Sequence, residues 1–366
     1  MGKYLRIEEM LSSIHNMDGD SYTIMEVCGS HTEAIKKYGI GELVKPQIRL
    51  LSGPGCPVCV TSEDYIDKAI ELTKVKDIII TTFGDMLRVK GRKENLLEQK
   101  EKGRDIRVLY TPIDAIDLAR AHMNKEIIFL AVGFETTAPI IALAIKKARQ
   151  EKLHNLSFYI GLKRMKPILR YIFNDSDHGI KGLICPGHVA SVVGEHYFEF
   201  ISKEYGISGV IAGFESKDVV QALYYLSLNK EKSGYFNNLY RQCVSYQGNQ
   251  KAIELMEEVF DDCDAKLRGI GIIEGAGFHI QKEYVEYDAS VRYQLEEHNV
   301  NKMTDKEINK CQDIKRNKCV CSDILLGKSE PKDCPLYGGK CTPEHPVGPC
   351  MISGEGSCAI SYKYLV

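Results

Sequence analysis

Short runs of β-branched and other apolar residues recur along the chain, each followed by a charged amphipathic stretch, and no other feature constrains the fold as much. The alternation is that of parallel strands joined by crossover helices, so the expected fold class is α/β. Strands are expected at 23–27, 48–51, 78–82, 127–132, 157–160, 182–184 and 209–212. Three of these runs lead into TTFGD, AVGFETT and IAGFES. A strand that runs through Gly or Phe to an acid and a Ser or Thr suggests one βα unit used repeatedly.

After about residue 220 the sequence becomes helical and polar. NKEKSGYFNN reads as a loop around residue 233, and GIGIIEGAGFHI, at 269–280, as a glycine-rich return to the sheet. NKMTDKEINKCQDIKRNK reads as a charged helix or linker into a separate C-terminal module. At 366 residues the chain exceeds one typical core, so two or three domains are expected.

In open α/β sheets the working groups collect at the carboxyl ends of the strands. Four loops there carry unusual residues: CGSHT at 28–32, GPGCPVC at 53–59, GFETTAP at 133–139 and CPGHV at 185–189. On one sheet edge, or on two facing edges, they could converge on a cleft.

A formal net charge of −2 gives no global attraction to nucleic acid or to an anionic membrane, and neither partner is expected. The long apolar run at 127–145 carries Glu135, Thr136 and Thr137 in its middle, which a membrane core would penalise. It reads as a buried strand, a turn and a helix. MGKYLRIEEM lacks the apolar core of a signal peptide, and Arg6 stands where a myristoylation motif wants Ser or Thr. A cytoplasmic protein is expected.

Thirteen cysteines in such a chain point to metal or redox work rather than a structural disulfide framework. Seven of them, Cys311, Cys319, Cys321, Cys334, Cys341, Cys350 and Cys358, fall in the last 56 residues. Fourteen residues separate Cys319 from Cys334, six separate Cys334 from Cys341, and sixteen separate Cys341 from Cys358. Four thiolates gathered from such spacing can bind zinc tetrahedrally or hold a [4Fe-4S] cube. The tail lacks the paired Cys-x-x-Cys knuckles usual for structural zinc. Its Pro- and Gly-rich loops suit a cluster shielded by backbone amides, which favours iron–sulfur. Spacing alone does not choose between Cys319 and Cys321. Cysteines left over beside a cluster, such as Cys321 and Cys350, can form a reducible disulfide or be ordinary buried thiols.

Cys56 and Cys59 match redox dithiols whose thiolate is stabilised by a helix N-terminus. The following TSEDYIDKAIELTK is helix-like, with Thr61 or Ser62 to cap it and Glu63 and Asp64 in its first turn. The same spacing can also hold half of a zinc site. Cys28 has His31 three residues on, a candidate ligand against the plain reading of a buried filler. Glu135 stands where a helix begins, and there the plain reading is capping by Thr136 or Thr137, with Pro139 in the first turn. His188 is either a site residue or a satisfied core histidine. There is no GxGxxG, no GxxxxGK[ST] and no nucleophile elbow. Nucleotide binding therefore has no motif support, and only a weak ATPase activity within a complex stays open.

VCGSHT, GPGCPVC, GFETTAP, PGHV and the tail KCVCSDILLGKSEPKDCPLYGGKCTPEHPVGPCMISGEGSCA, in that order, resemble the HypD family of [NiFe]-hydrogenase maturation proteins. The resemblance runs from about residue 20 to the carboxyl terminus. It implies two Rossmann-like parallel-sheet domains facing a cleft, plus a small C-terminal iron–sulfur domain. The divisions expected are 1–122 completed by 206–300, then 123–205, and 301–366 for the [4Fe-4S] domain. The activity implied is assembly of the Fe(CN)2CO group, held as a bound intermediate before its insertion into the hydrogenase large subunit. The implied partners are the small chaperone HypC, which shares the iron, and HypE as cyanide donor.

Carried over residue by residue, the resemblance makes Cys28 the iron ligand and Cys56 and Cys59 the dithiol near it. It makes Cys319, Cys334, Cys341 and Cys358 the cluster ligands, and Cys321 and Cys350 the exchangeable pair between cluster and cleft. Glu135 and His188 match family motifs without a settled role; Cys185, Cys243, Cys263 and Cys311 have none assigned. Low-spin iron with cyanide and carbonyl ligands needs electron-rich soft donors, which thiolates supply. Two rivals stand beside this reading. One is a general iron–sulfur-dependent disulfide reductase acting through Cys56 and Cys59, and the other a non-catalytic zinc-stabilised scaffold.

Overall fold

The computed structural model describes residues 6–295 and 319–364, so the expected charged linker and Cys311 lie outside the described residues. The strands are β1 (Tyr22–Glu26), β2 (Ile48–Ser52), β3 (Ile78–Thr82), β4 (Ile106–Val108), β5 (Glu126–Gly133), β6 (Leu156–Leu162), β7 (Gly182–Cys185), β8 (Ser208–Ile211), β9 (Phe236–Asn238), β10 (Phe260–Leu267) and β11 (Gly271–Ile280). All seven expected strands are present, within one or two residues at their ends.

The chain divides into two compact units. The first comprises Met1–Cys56, Leu169–Gln250 and Val320–Val366, and the second Pro57–Ile168 and Lys251–Cys319. The divisions expected after 122 and after 205 fall inside these units, and the cysteine tail from 320 onward belongs to the first unit rather than standing alone. The physical reason is that strand periodicity marks each strand but not its sheet. A crossover helix reads the same whether the chain returns to its own sheet or begins another.

In the first unit, five parallel strands run in the order β2-β1-β7-β8-β9. Ile24, Ile48, Ile184 and Val210 pack from this sheet into a buried cluster with Met10 and Leu223. These last two lie on the helices Ile7–His15 and Ser216–Leu228. The stretch read as a loop near residue 233 ends in the edge strand β9, which pairs with β8.

The second unit is built on the parallel sheet β4-β3-β5-β6. Every residue of β3 is buried, as is every residue of β5 after Glu126. Burial on both faces explains why these strands read as continuous apolar runs rather than alternating ones. The run at 127–145 resolves into β5, a turn and the helix Ala138–Gln150. Among the described residues no helix is long and apolar enough to cross a membrane.

The expected return of 269–280 to the sheet is corrected. β11 pairs antiparallel with β10 as a separate ribbon, and meets the β6 end through the bridge Lys163↔Gly277 and the Arg164 N–H, which donates to Ala276 O at 2.9 Å. β10 is half exposed, which suits a ribbon open to solvent on one side and not an interior parallel strand.

Candidate functional site

In the first sheet the chain leaves β1 toward β2 on one side, while β7 lies on the other. The crevice beyond the carboxyl ends of β1 and β7 is therefore the sheet's switch point, where ligands of such folds bind. Cys28 follows β1, and His188 follows β7 on the helix Gly187–Val193. The Cys28 Sγ lies 3.9 Å from His188 Nδ1. Three of the four motif loops thus end on neighbouring strands, β2, β1 and β7, whereas GFETTAP follows β5 in the second unit.

The Cys28 loop is fixed by its backbone. Cys28 is the N-cap of the helix Gly29–Lys37, and its N–H donates to Glu26 Oε2 at 2.9 Å. The other Glu26 oxygen accepts the Thr32 hydroxyl, closing the first turn. The GPGC loop is tied to the same place. Gly53 N–H donates to Glu26 O at 2.7 Å, and a Cβ on Gly55 would stand 2.6 Å from Cys28 N and 2.7 Å from its Cα. Only glycine allows that approach, and it brings the backbone entering Cys56 against Cys28. Glu26 was not among the residues singled out from the sequence. The available signal was a carboxylate closing an otherwise apolar strand, next to the Cys; buried and bonded to the Cys28 amide, its pKa is pushed up by burial to about 7, against the hydrogen bonds from Thr32 and Cys28.

Burial also raises the Cys28 thiol, to about 12, so the free side chain carries its proton at ordinary pH. A thiolate forms there when a cation takes the place of the proton. His188 is exposed, and partial desolvation lowers its pKa, so its ring is neutral near pH 7. Its ring stacks on Phe214 at 4.0 Å, and Phe214 in turn contacts His31 at 4.8 Å. His31 is fully buried; its Nε2 donates to Gly213 O at 3.0 Å, which leaves Nδ1 as a buried lone pair. Burial lowers its pKa to about 4, so it too is neutral.

Cys56 and Cys59 are buried thiols at the two ends of one turn, with Cys59 on the short helix Pro57–Val60. The helix expected after them is Glu63–Leu72, and Ser62 is its cap, accepting from Tyr65 N. That helix begins four residues beyond Cys59, so its N-terminus does not open at the dithiol. Glu135, in the second unit, is buried, and its Oε1 accepts the Met165 N–H at 2.8 Å. It therefore receives the first amide of the helix Met165–Phe173. Thr137 holds the N-cap position of Ala138–Gln150 without a side-chain bond, and Pro139 lies in its first turn.

In the tail, a disulfide joins Cys321 and Cys350, with Cα atoms 6.3 Å apart. Cys334 and Cys341 bracket a tight turn, in which Tyr337 N–H donates to Cys334 O and Cys341 N–H to Leu336 O. Cys358 begins on the helix Ser357–Lys363, whose Lys363 and the following Tyr364 both bond Glu33 of Gly29–Lys37. A Cβ on Gly29 would lie 2.7 Å from Glu355 Cβ, so the tail packs closely on the start of the Cys28 helix.

Two features suit thiolate or sulfide acceptors: Val347 N–H donates to Cys341 Sγ at 3.3 Å, and the buried Tyr337 hydroxyl, near Cys358, has no hydrogen-bond partner among the described residues. The donor set, all soft sulfur, has the chemistry of an iron–sulfur cluster. Among the described residues no three His, Cys, Asp or Glu side chains are gathered into a metal-holding group. Of the cysteines without an assigned role, Cys185 is buried at the end of β7, Cys263 half buried on β10 and Cys243 exposed.

A family profile described as "HypD: Hydrogenase formation hypA family" matches residues 6–365. The chain belongs to the HypD family. The HypD-family relatives include the hydrogenase maturation factor HypD of Escherichia coli, 35% identical over 93% of this chain and 88% of that protein. The hydrogenase maturation factor HypD2 of Bradyrhizobium diazoefficiens is 37% identical over 94% and 89% of the two chains. The HypD of Cupriavidus necator is 37% identical over 94% and 90%.

Proposed function

We propose that this chain is a hydrogenase maturation factor, a scaffold and redox-active site on which the Fe(CN)2CO group is assembled. The observation that carries the reading is the switch point of the first sheet, where Cys28 and His188 face each other and the Cys56 loop is pinned against the Cys28 backbone. Cys28 offers the soft sulfur donor for the incoming iron, which is the cargo. The Glu26 carboxyl and the glycine loop keep its backbone fixed while the sulfur changes partners. A small chaperone of the HypC kind shares the iron, and a HypE-type protein donates cyanide. A [4Fe-4S] cluster held by Cys319, Cys334, Cys341 and Cys358 would supply one-electron chemistry.

The test is infrared spectroscopy of the anaerobically purified complex with the small chaperone. Bands of iron-bound cyanide and carbonyl are expected. A complex that matures hydrogenase but never carries those bands would refute the assembly role and leave the disulfide-reductase reading in its place.

Cys56 and Cys59 form the dithiol of this reading. Replacing either with Ala leaves a single thiol that cannot close the intramolecular bond. Each single variant is expected to stop maturation, read as hydrogenase activity, while keeping the visible absorption of the cluster. Normal maturation by both variants would remove the dithiol from the mechanism.

A further inference from the structure

The amino end of the first sheet carries a cavity of its own, at the opposite end of the strands from Cys28 and His188. It measures about 280 Å³ and opens where β1, β7 and β8 begin, beside the turn that leads into β9. Ordinary small-molecule pockets start at about 300 Å³, so its occupant is small. Lys181, Lys230, Lys232 and His178 line it, and among the described residues no Asp or Glu does. Over the whole chain 50 acidic residues face 48 Lys and Arg, so this sorting by sign is local. The walls leave the ammonium charges standing. Lys230 donates to the Asp18 carbonyl and Lys232 to Asn229 Oδ1 at 2.9 Å, both uncharged acceptors, and the exposed Lys181 side chain makes no bond among the described residues. Of the acids on the flanking segments, Asp175 pairs with Lys328 at 2.7 Å and Glu204 with Arg170 at 2.5 Å. Glu231 stands 3.9 Å from Lys230 with its side chain 88% exposed.

We propose that this cavity binds a small multivalent oxyanion of the phosphate class: inorganic phosphate, pyrophosphate or the phosphoryl end of a small metabolite. A concave surface lined by one sign of charge concentrates counter-ions, and a multivalent anion relieves the repulsion among the gathered lysines. His178 adds a donor of fixed tautomer. Its Nδ1 accepts the Ile180 N–H at 2.8 Å, so Nε2 carries the hydrogen. Ser233 adds a hydroxyl to the wall. The Tyr22 and Tyr205 hydroxyls already donate to Lys181 O and Asn174 Oδ1, both at 2.9 Å, and so hold the frame rather than the ligand. The chemistry of the donors selects among anions. No Arg lines the cavity, and it is the planar Arg fork that matches a carboxylate in a bidentate pair. Ammonium groups are point charges with rotatable hydrogens, which suit the radial oxygens of a tetrahedral anion.

The experiment is isothermal titration of the full-length, anaerobically purified protein with phosphate, pyrophosphate and glycerol 3-phosphate at constant ionic strength, beside sulfate and the tricarboxylate citrate. One saturable site per chain is expected for a phosphate ligand, with citrate clearly weaker, and the tightest of the three phosphates identifies the source. Exposed ammonium groups contribute modestly one by one, so the double variant Lys181→Gln, Lys232→Gln is expected to weaken binding about tenfold. Both residues are exposed, which keeps the fold out of the comparison. Ser233→Glu, which puts a carboxylate on the exposed turn, is expected to abolish binding and gives a second reading. Lys45→Gln, at an exposed lysine of the same unit that pairs with Glu42, is expected to change nothing. Binding that survives the double variant, as chelation at a metal would, overturns the proposal. So does the absence of saturable binding, or citrate bound as tightly as the phosphates. Equally weak binding of sulfate and all three phosphates would mean an adventitious ion only, and would overturn it too.

Discussion

Cys28→Ala is expected to abolish retention of iron with cyanide ligands completely, while the fold and the tail cluster persist. The expectation of an intact fold comes from which atoms hold the loop. Glu26 bonds the Cys28 amide, the helix Gly29–Lys37 uses its carbonyl, and the glycine loop abuts its backbone; none of these needs the sulfur. Removing Sγ leaves a small void, worth on the order of 1 kcal/mol. Ala offers iron no donor at all, and His188, 3.9 Å away, is left as a single neutral ligand on an exposed ring. The measurement is the infrared spectrum of the variant copurified with the small chaperone, beside its circular dichroism and visible absorption. Full cyanide and carbonyl bands would sink the assignment. A general disulfide reductase working through Cys56 and Cys59 would be indifferent to the change, so an unaltered activity would also favour that rival.

Much of this site was legible in the sequence because its chemistry sits where strands end, and strand ends are marked locally. The apolar runs before Cys28, Cys56 and His188 are short, β-branched and abruptly closed by Gly or Pro. Which strands share a sheet is not local. Nothing in the sequence of β7 announces that it lies beside β1, and that pairing brings His188 to Cys28 while leaving Glu135 on the other sheet. Glu26 escaped notice for a related reason: a carboxylate in a strand reads as a surface residue until the structure shows it buried and bonded to the next loop. Arg268 is farther still: its Nε donates to Thr61 O across 207 residues of sequence.

Cys319→Ser is expected to bleach the brown absorption of the anaerobically purified protein, whereas Cys321→Ser is expected to keep the colour and lose maturation. Sequence spacing leaves the two interchangeable, since only Val320 lies between them. The structure gives them different partners. The Cys321 sulfur is bonded to Cys350, and a sulfur in a disulfide has no thiolate to offer a metal. Cys319 remains a thiol, as do Cys334, Cys341 and Cys358. Cys334 and Cys341 are already set in one turn, and the Val347 amide points at the Cys341 sulfur, as amides do around electron-rich cluster ligands. In Cys321→Ser the disulfide is lost but four thiols remain for the cluster, so absorption survives and the exchangeable pair does not. In Cys319→Ser one soft donor is replaced by a hard, weakly binding hydroxyl, and a cube deprived of a thiolate is lost on purification. Bleaching by Cys321→Ser with colour retained in Cys319→Ser would exchange the two roles. A wild-type protein that is colourless but contains zinc would replace the cluster by the structural-metal reading and leave the disulfide without an electron source at its side.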